Sequence, residues 1–216
     1  YFDWVRSDQA LLQAQALHEE RARIARDLHD ELGASLAHTC MLGDRIGLTG
    51  EAFGSVIQRI QQNSRESLRR LDEIVWAANP DRDSAEDLAA YFSKFAQEFL
   101  ADSGIRFRSE IPDELAPCHL DSKLRHNLYL ATREAFRNAV RHGSPASILL
   151  RISTSGGELV VAIADDGCGF DPATPRESSH GLANMRTRIE GIGGRVSISS
   201  HPGKGCSITF TLPLHS

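Results

Sequence analysis

A chain of 216 residues with 24 Lys and Arg against 29 Asp and Glu carries a formal charge of −5 and a pI near 6.0, which excludes the basic surplus that nucleic acid or an anionic membrane surface asks of a partner. No stretch approaches the roughly 18 consecutive apolar residues of a membrane span, and Tyr1-Phe-Asp-Trp has no charged-then-apolar leader pattern. Four cysteines, Cys40, Cys118, Cys168 and Cys206, stand singly without a Cys-x-x-Cys pair, so reduced thiols in a cytoplasmic setting are expected. The length suits two modest domains, and the start without methionine reads as a piece of a longer protein.

Residues from about 7 to 47 form one helical pattern free of proline and rich in Ala, Leu, Gln, Glu and Arg. Within it Ile24, Leu28 and Leu32 recur every four residues on one face, which leaves His29 beside the apolar seam, facing water. Asp30 follows it, and Arg21, Arg23 and Arg26 precede it. Taken alone, such a histidine is most simply a solvated bystander.

Residues 47–54 make a turn, and a second helix follows in which Ile57, Ile60, Ser64, Ser67, Leu71 and Ile74 keep three-four spacing, the pattern of a coiled-coil seam. A hairpin of two such arms exposes an apolar stripe on each, and a second copy would bury both as a four-helix bundle, so a homodimer is expected. Asn79-Pro80-Asp-Arg-Asp-Ser84 ends the helix and sets a domain boundary between residues 1–80 and 84–216.

Ser84-Ala-Glu-Asp87 reads as a capping box opening a helix to about Leu100, with Leu88, Tyr91, Phe92, Phe95 and Phe99 on its apolar face. Ile105-Arg-Phe-Arg108 alternates as a short strand, and Pro112 to Pro117 is loop. A helix is predicted from Asp121 to His142, where the stripe Leu124, Leu128, Ala131, Ala135 extends to Asn138 and His142, with Glu134 a turn before Asn138. A core stripe that turns polar at its end needs a partner for those groups, for which water or a backbone carbonyl suffices.

Ser147 to Ser153 and Leu159 to Ala164 read as strands about a Gly156-Gly157 turn, the second an unbroken apolar run suited to mid-sheet. That run stops at Asp165-Asp-Gly-Cys-Gly169-Phe170, by itself a commonplace turn. Residues 171–180 are polar loop. Gly181 opens a helix that Gly193-Gly194 closes, and Arg195–Ser200 with Cys206–Leu212 form a hairpin whose glycine cluster, His201-Pro-Gly-Lys-Gly205, reads as a turn and nothing more.

In order and spacing, the second half resembles the ATP-binding domain of the gyrase, heat-shock chaperone, histidine kinase and mismatch-repair ATPase superfamily. Glu134-Ala-Phe-Arg-Asn138-Ala-Val-Arg-His142 looks like the kinase N box, Asp165-Asp-Gly-Cys-Gly169 like the first glycine box, and His180-Gly-Leu-Ala-Asn-Met185 like the second. Arg23-Ile-Ala-Arg-Asp-Leu-His29-Asp30-Glu-Leu-Gly is similar to the dimerisation and phosphoacceptor helix of the nitrate-sensor and desaturase-sensor histidine kinases. The resemblance implies an α+β protein: a helical-hairpin dimerisation domain, a four-helix bundle in the dimer, followed by an α/β sandwich ATP-binding domain of the GHKL (Bergerat) type. It spans nearly all of residues 15–213.

The resemblance implies ATP and Mg2+ as cofactors, autophosphorylation on His29, and transfer of the phosphate to an aspartate in the receiver domain of a response regulator. It implies ATP contacts at Glu134, Arg137, Asn138, Arg141, His142, Asp165, Gly167, Gly169, His180, Gly181, Leu182 and Met185, with Asn138 the magnesium ligand. The residue chemistry agrees with those roles. A carboxylate fixed at a strand end, Asp165, can accept from the adenine amine, Gly167 and Gly169 let backbone come close, and an amide oxygen is a hard ligand for magnesium. Arg137, Arg141 and His142 are candidate phosphate contacts, and the helix start at Gly181 offers free N–H groups.

Asp30 is the implied base for His29, although helical neighbours point about 100° apart, so it must bend back to reach the ring. Members of this subfamily often carry Gln five positions after the histidine, where this chain has Ala34, so weak phosphatase activity is expected. The resemblance further implies the cytoplasmic portion of a bacterial sensor anchored in the inner membrane through a missing N-terminal part. Two rivals remain: a non-catalytic dimeric scaffold that binds nucleotide only to change shape, and a hydrolase in which Glu134 activates water.

Overall fold

A computed structural model of the chain describes residues 41, 53–79, 82–171 and 180–214. His29, Asp30, Ala34 and, residue 41 apart, the rest of residues 1–52, the predicted first helical arm included, lie outside the described residues, as do residues 172–179. The chain divides into two compact units, Tyr1–Ala78 and Asn79–Ser216.

In the first unit α1 (Phe53–Ala78) runs for 26 residues. The predicted seam is only partly covered: Ile57, Ile60, Ser67 and Leu71 are half-buried and Ser64 is exposed. The deeply buried positions Glu73, Trp76 and Ala77 lie off that stripe, and Val56 lies at its edge. Leu68 and Val75, seven residues apart and so on one face, stand 61% and 60% exposed.

The second unit is a five-stranded sheet with helices packed on it. Its elements are α2 (Ala85–Leu100), β1 (Arg106–Glu110), α3 (Ser122–Asn138), β2 (Ser147–Ser155), β3 (Glu158–Asp165), α4 (His180–Glu190), β4 (Arg195–Ser200) and β5 (Cys206–Pro213). Strand order is β1-β2-β3-β5-β4. β1 and β2 pair in parallel, as a connection containing the whole of α3 allows, and every other neighbour is antiparallel. β3, the apolar run, is the central strand.

Helix starts follow the capping chemistry. Ser84 Oγ accepts the Asp87 N–H at 3.0 Å and donates to the Asp87 carboxylate at 2.9 Å, and Asp121 Oδ1 accepts the Leu124 N–H at 2.7 Å. Period-two alternation then buries one face of the sheet: Ile148, Leu150 and Ile152 on β2, Leu159, Val161 and Ile163 on β3, Ile208, Phe210 and Leu212 on β5. Burial of side chains this size is worth roughly 1.5–3 kcal/mol each. Against them lie Leu88 and Phe92 of α2, Leu128 and Phe136 of α3, and Met185 and Ile189 of α4, all without exposed surface. An aromatic cluster joins the layers, Phe95 meeting Tyr129 and Phe136 edge-on with ring centroids 5.3 and 5.8 Å apart, and Phe107 of β1 reaching Phe136 at 6.3 Å.

One boundary differs from the sequence reading. The α-helix predicted from Asp121 to His142 ends at Asn138, and Ala139–Gly143 continue as a π-helical turn closed by Ser144 in left-handed geometry, φ 47° and ψ 51°. The wider turn takes His142 off the buried stripe, and it is exposed.

Candidate functional site

The polar end of α3, the π-helical turn, the end of β3 and the start of α4 meet at one end of the sheet. Asp165 is the last residue of β3 and pairs across to Ile148 on β2 and Cys206 on β5, so strands on both sides fix its backbone. Its Oδ1 accepts the Gly167 N–H at 2.9 Å. Burial pushes the Asp165 carboxyl above its ordinary value; the N–H groups of Gly167 and Cys206 pull it back, and the charge of Asp166 adds to the rise.

Asp166, the next residue, is built for a different task. Its Oδ1 accepts the N–H of Ala146 and of Ser147, each at 2.8 Å, and its Oδ2 accepts the Ser147 hydroxyl at 2.7 Å. The Ser147 hydroxyl, then the backbone N–H groups, hold this carboxyl below its ordinary value. Asp166 thus staples the glycine-rich loop to the start of β2, while Asp165 keeps acceptor capacity in a half-buried setting.

Glycine is demanded where backbone meets backbone. A Cβ on Gly167 would lie 2.7 Å from the Gly143 carbonyl carbon, and the Gly143 oxygen accepts the Cys168 N–H at 2.8 Å. The loop is thereby zipped to the π-helical turn that leaves Asn138. On its other flank the Gly203 N–H donates to the Cys168 carbonyl at 2.7 Å, and a Cβ on Gly205 would strike the Asp165 carbonyl oxygen. Ser200 Oγ accepts the Phe170 N–H at 2.8 Å and donates to the Gly205 carbonyl at 2.9 Å. The cluster His201–Gly205, read from sequence as a turn alone, therefore backs the Asp165 loop directly. Its one sequence signal was the pair Gly203 and Gly205 spaced by a single residue.

At the helix end, the Glu134 carboxylate is mostly buried and is paired with Arg137 at 2.6 Å. Gly181, in the first turn of α4, packs against both N-box groups: a Cβ there would collide with Glu134 Oε1 and lie 3.1 Å from Asn138 Nδ2. Glu134, Asn138 and Gly181 are thus in one cluster, Asp165 and Gly167 adjoin the turn following Asn138, and Gly169 packs against His201 and Gly205. Arg137 lies on Glu134, while Arg141 and His142 are exposed, the His142 carbonyl accepting from the Cys168 thiol at 3.1 Å. Leu182 is half-buried, and Met185 has no exposed surface, so its side chain belongs to the core. His180 is the first residue of α4. Beside Asp165, burial and then the aspartate charge push the Cys206 thiol up to about 11, so it stays protonated at neutral pH.

Among the described residues no group of three or more His, Cys, Asp or Glu could hold a metal ion. Asn138 offers one hard oxygen, so a cation here takes most of its ligands from phosphate oxygens and water, as magnesium does in nucleotide sites. The residues present fit that arrangement. Among the described residues no helix is long and apolar enough to cross a membrane.

Comparison with known proteins bears on both units. Residues 20–83 match the model of the family described as histidine kinase, and residues 124–216 match the histidine kinase-, DNA gyrase B-, and HSP90-like ATPase. The chain is 25% identical over 210 residues to the sensor histidine kinase LiaS of Bacillus subtilis (strain 168), covering 95% of this chain and 57% of that protein. It is 24% identical over 199 residues to the nitrate/nitrite sensor protein NarX of Escherichia coli (strain K12), covering 89% of this chain and 32% of NarX. In fold it is similar to the histidine kinase domain of the Erythrobacter litoralis EL346 blue-light activated histidine kinase, with a TM-score of 0.55 and 20% identity over 93% of this chain and 94% of that one. With a histidine kinase segment followed by an ATPase domain of the gyrase and HSP90 type, in that order, the chain belongs to the histidine kinase family.

Proposed function

We propose that this chain is the ATP-dependent core of a two-component sensor, which phosphorylates itself on His29 and passes the phosphate to an aspartate in the receiver domain of a response regulator. One observation carries the reading: a half-buried carboxylate, Asp165, stands at the end of the central strand in a glycine loop zipped to the terminus of the helix that bears Asn138. A carboxylate so placed can accept from the exocyclic amine of adenine.

Asn138 would hold a magnesium ion through its amide oxygen, and the ion would supply charge neutralisation on the phosphates. Glu134, buttressed by Arg137, fixes the start of α4, whose N–H groups face phosphate. Arg141 and His142 are exposed and free to turn toward the polyphosphate. One ring nitrogen of neutral His29 attacks the γ-phosphorus, forming a P–N bond as the bond to the β,γ-bridging oxygen breaks. ADP leaves with that oxygen, and Asp30 holds the proton on the other ring nitrogen. The chemistry on the donor side is mostly positioning, which the rigid cluster around Asn138 and Asp165 suits.

The active species is a homodimer. Leu68 and Val75 stand exposed on one face of α1 beside a half-covered seam, and a second copy covers both. Because Ala34 has no side chain that orients water, dephosphorylation of the regulator is slow. The whole sensor reaches the membrane through sequence beyond this chain.

Incubation with γ-labelled ATP tests the reading. Acid-labile, base-stable label on the protein is expected; free phosphate alone indicates a hydrolase, and neither product indicates a scaffold. His29→Gln removes the label and leaves nucleotide affinity unchanged. Fast nucleotide-stimulated loss of phosphate from a labelled regulator refutes the phosphatase expectation.

A further inference from the structure

Among the described residues the largest fully buried side chain is charged. Arg125, in the first turn of α3, is 2% exposed. A guanidinium taken from water is costly unless acceptors meet its donors, and Arg125 Nη1 donates to the backbone carbonyl of Arg82, 43 residues earlier. Arg82 lies in the short segment between the end of α1 at Ala78 and the start of α2 at Ala85.

The same segment is stitched at successive residues. The Leu120 N–H donates to the Asp83 carbonyl at 2.7 Å, and the Asp83 carboxylate meets the His119 ring at 2.5 Å. Asp121, next after Leu120, caps α3. Residues 82 and 83 are therefore fastened to His119, Leu120 and Arg125, at the foot of the helix whose other end carries Glu134 and Asn138. From Arg125 to Asn138 is 13 residues of rigid helix, about 20 Å at 1.5 Å per residue.

We propose that Arg125 is a positioning residue for phosphoryl transfer: by holding the Arg82 carbonyl on the first turn of α3, it fixes the point at which the connecting segment joins the ATP-binding domain. This inference rests on the kinase reading above. With the clasp closed, residues 79–81 alone separate Ala78 from the first fastened residue, a reach of at most about 14 Å at full extension. With it open the next hold is Asp83, whose carbonyl accepts the Leu120 N–H, and the reach grows by about 3.5 Å. A longer reach dilutes the nucleotide around His29 and relaxes its orientation, without altering the nucleotide pocket. Arginine suits the role because a forked, permanently charged donor group stays bonded to a carbonyl at any working pH, and a buried lysine would tend to lose its proton.

Autophosphorylation of the full chain, with kcat and the KM for ATP measured separately, tests the inference. Arg125→Met is expected to lower kcat on the order of tenfold with KM held within about twofold, and to speed hydrogen exchange at the Leu120 amide. Arg125→Lys, which keeps one donor, recovers part of the rate. A two-glycine insertion between Asp81 and Arg82, which lengthens the reach without touching the core, is expected to reproduce the kcat loss, and it decides the matter if Arg125→Met fails to fold. A wild-type kcat in the insertion variant, or in folded Arg125→Met, overturns the inference, as does a loss confined to KM. If the wild-type chain takes no phosphate on His29, the kinase reading itself falls, and this inference with it.

Discussion

Asp165 and Asp166 are chain neighbours in opposite electrostatic settings. For Asp165, raised by burial, the ionised form is the disfavoured one in the fold; its penalty is full at neutral pH and is relieved as pH falls toward the ordinary carboxylate range. For Asp166, lowered by the Ser147 hydroxyl and backbone N–H groups, the stabilisation is present above the ordinary carboxylate value of about 3.9 and is lost as pH falls through the depressed folded value. Asp165→Asn is therefore expected to raise the melting temperature of the nucleotide-free protein at pH 7 and to abolish the shift that ATP produces. Asp166→Asn is expected to lower the melting temperature at pH 7, by a margin that narrows as the buffer is taken to pH 3. Thermal melts of the two variants at both pH values check the opposed signs. The Asp-Asp-Gly triplet after an apolar run made a carboxylate at the end of the central strand legible in sequence. It could not tell that the second aspartate is a staple, because its partners, Ala146 and Ser147, lie about twenty residues away.

Among elements, those that sequence located well have local determinants. α2 begins where Ser84 and Asp87 can exchange hydrogen bonds, and Ser84→Ala is expected to lower unfolding free energy by about 1 kcal/mol in urea titration, with the slope unchanged. The strands of the second unit were legible because period-two alternation and Gly156-Gly157 are both short-range signals. The end of α3 was not. Nothing in Asn138-Ala-Val-Arg-His142 forbids a further α turn, and the widening to a π-helical turn comes with the zipping of Gly143 to Cys168, a contact made only after β2 and β3 are in place. The pairing of Arg125 with Arg82 and the packing of Gly205 on Asp165 escape sequence reading for the same reason, since each joins positions far apart in the chain.

At the scale of the whole molecule, the exposed pair on α1 sets the expected assembly. Leu68→Glu combined with Val75→Glu is expected to shift the chain from dimer to monomer in light scattering, leaving nucleotide affinity unchanged because both residues lie in the first unit. A dimer that persists in that variant removes α1 from the interface.

The position of β3 has a thermodynamic consequence. A residue that grips ligand from a surface loop can let go by fraying, and the rest of a protein is indifferent to the event. Asp165 terminates a strand flanked by β2 and β5, so the grip on nucleotide that we propose for it would be released only when the sheet itself comes apart. Occupancy is then felt as resistance of the entire second unit to melting: at a hundredfold excess of ATP over its dissociation constant, the gain is about 2.7 kcal/mol. For such a protein a simple thermal shift reads nucleotide affinity, with no need to follow phosphate at all.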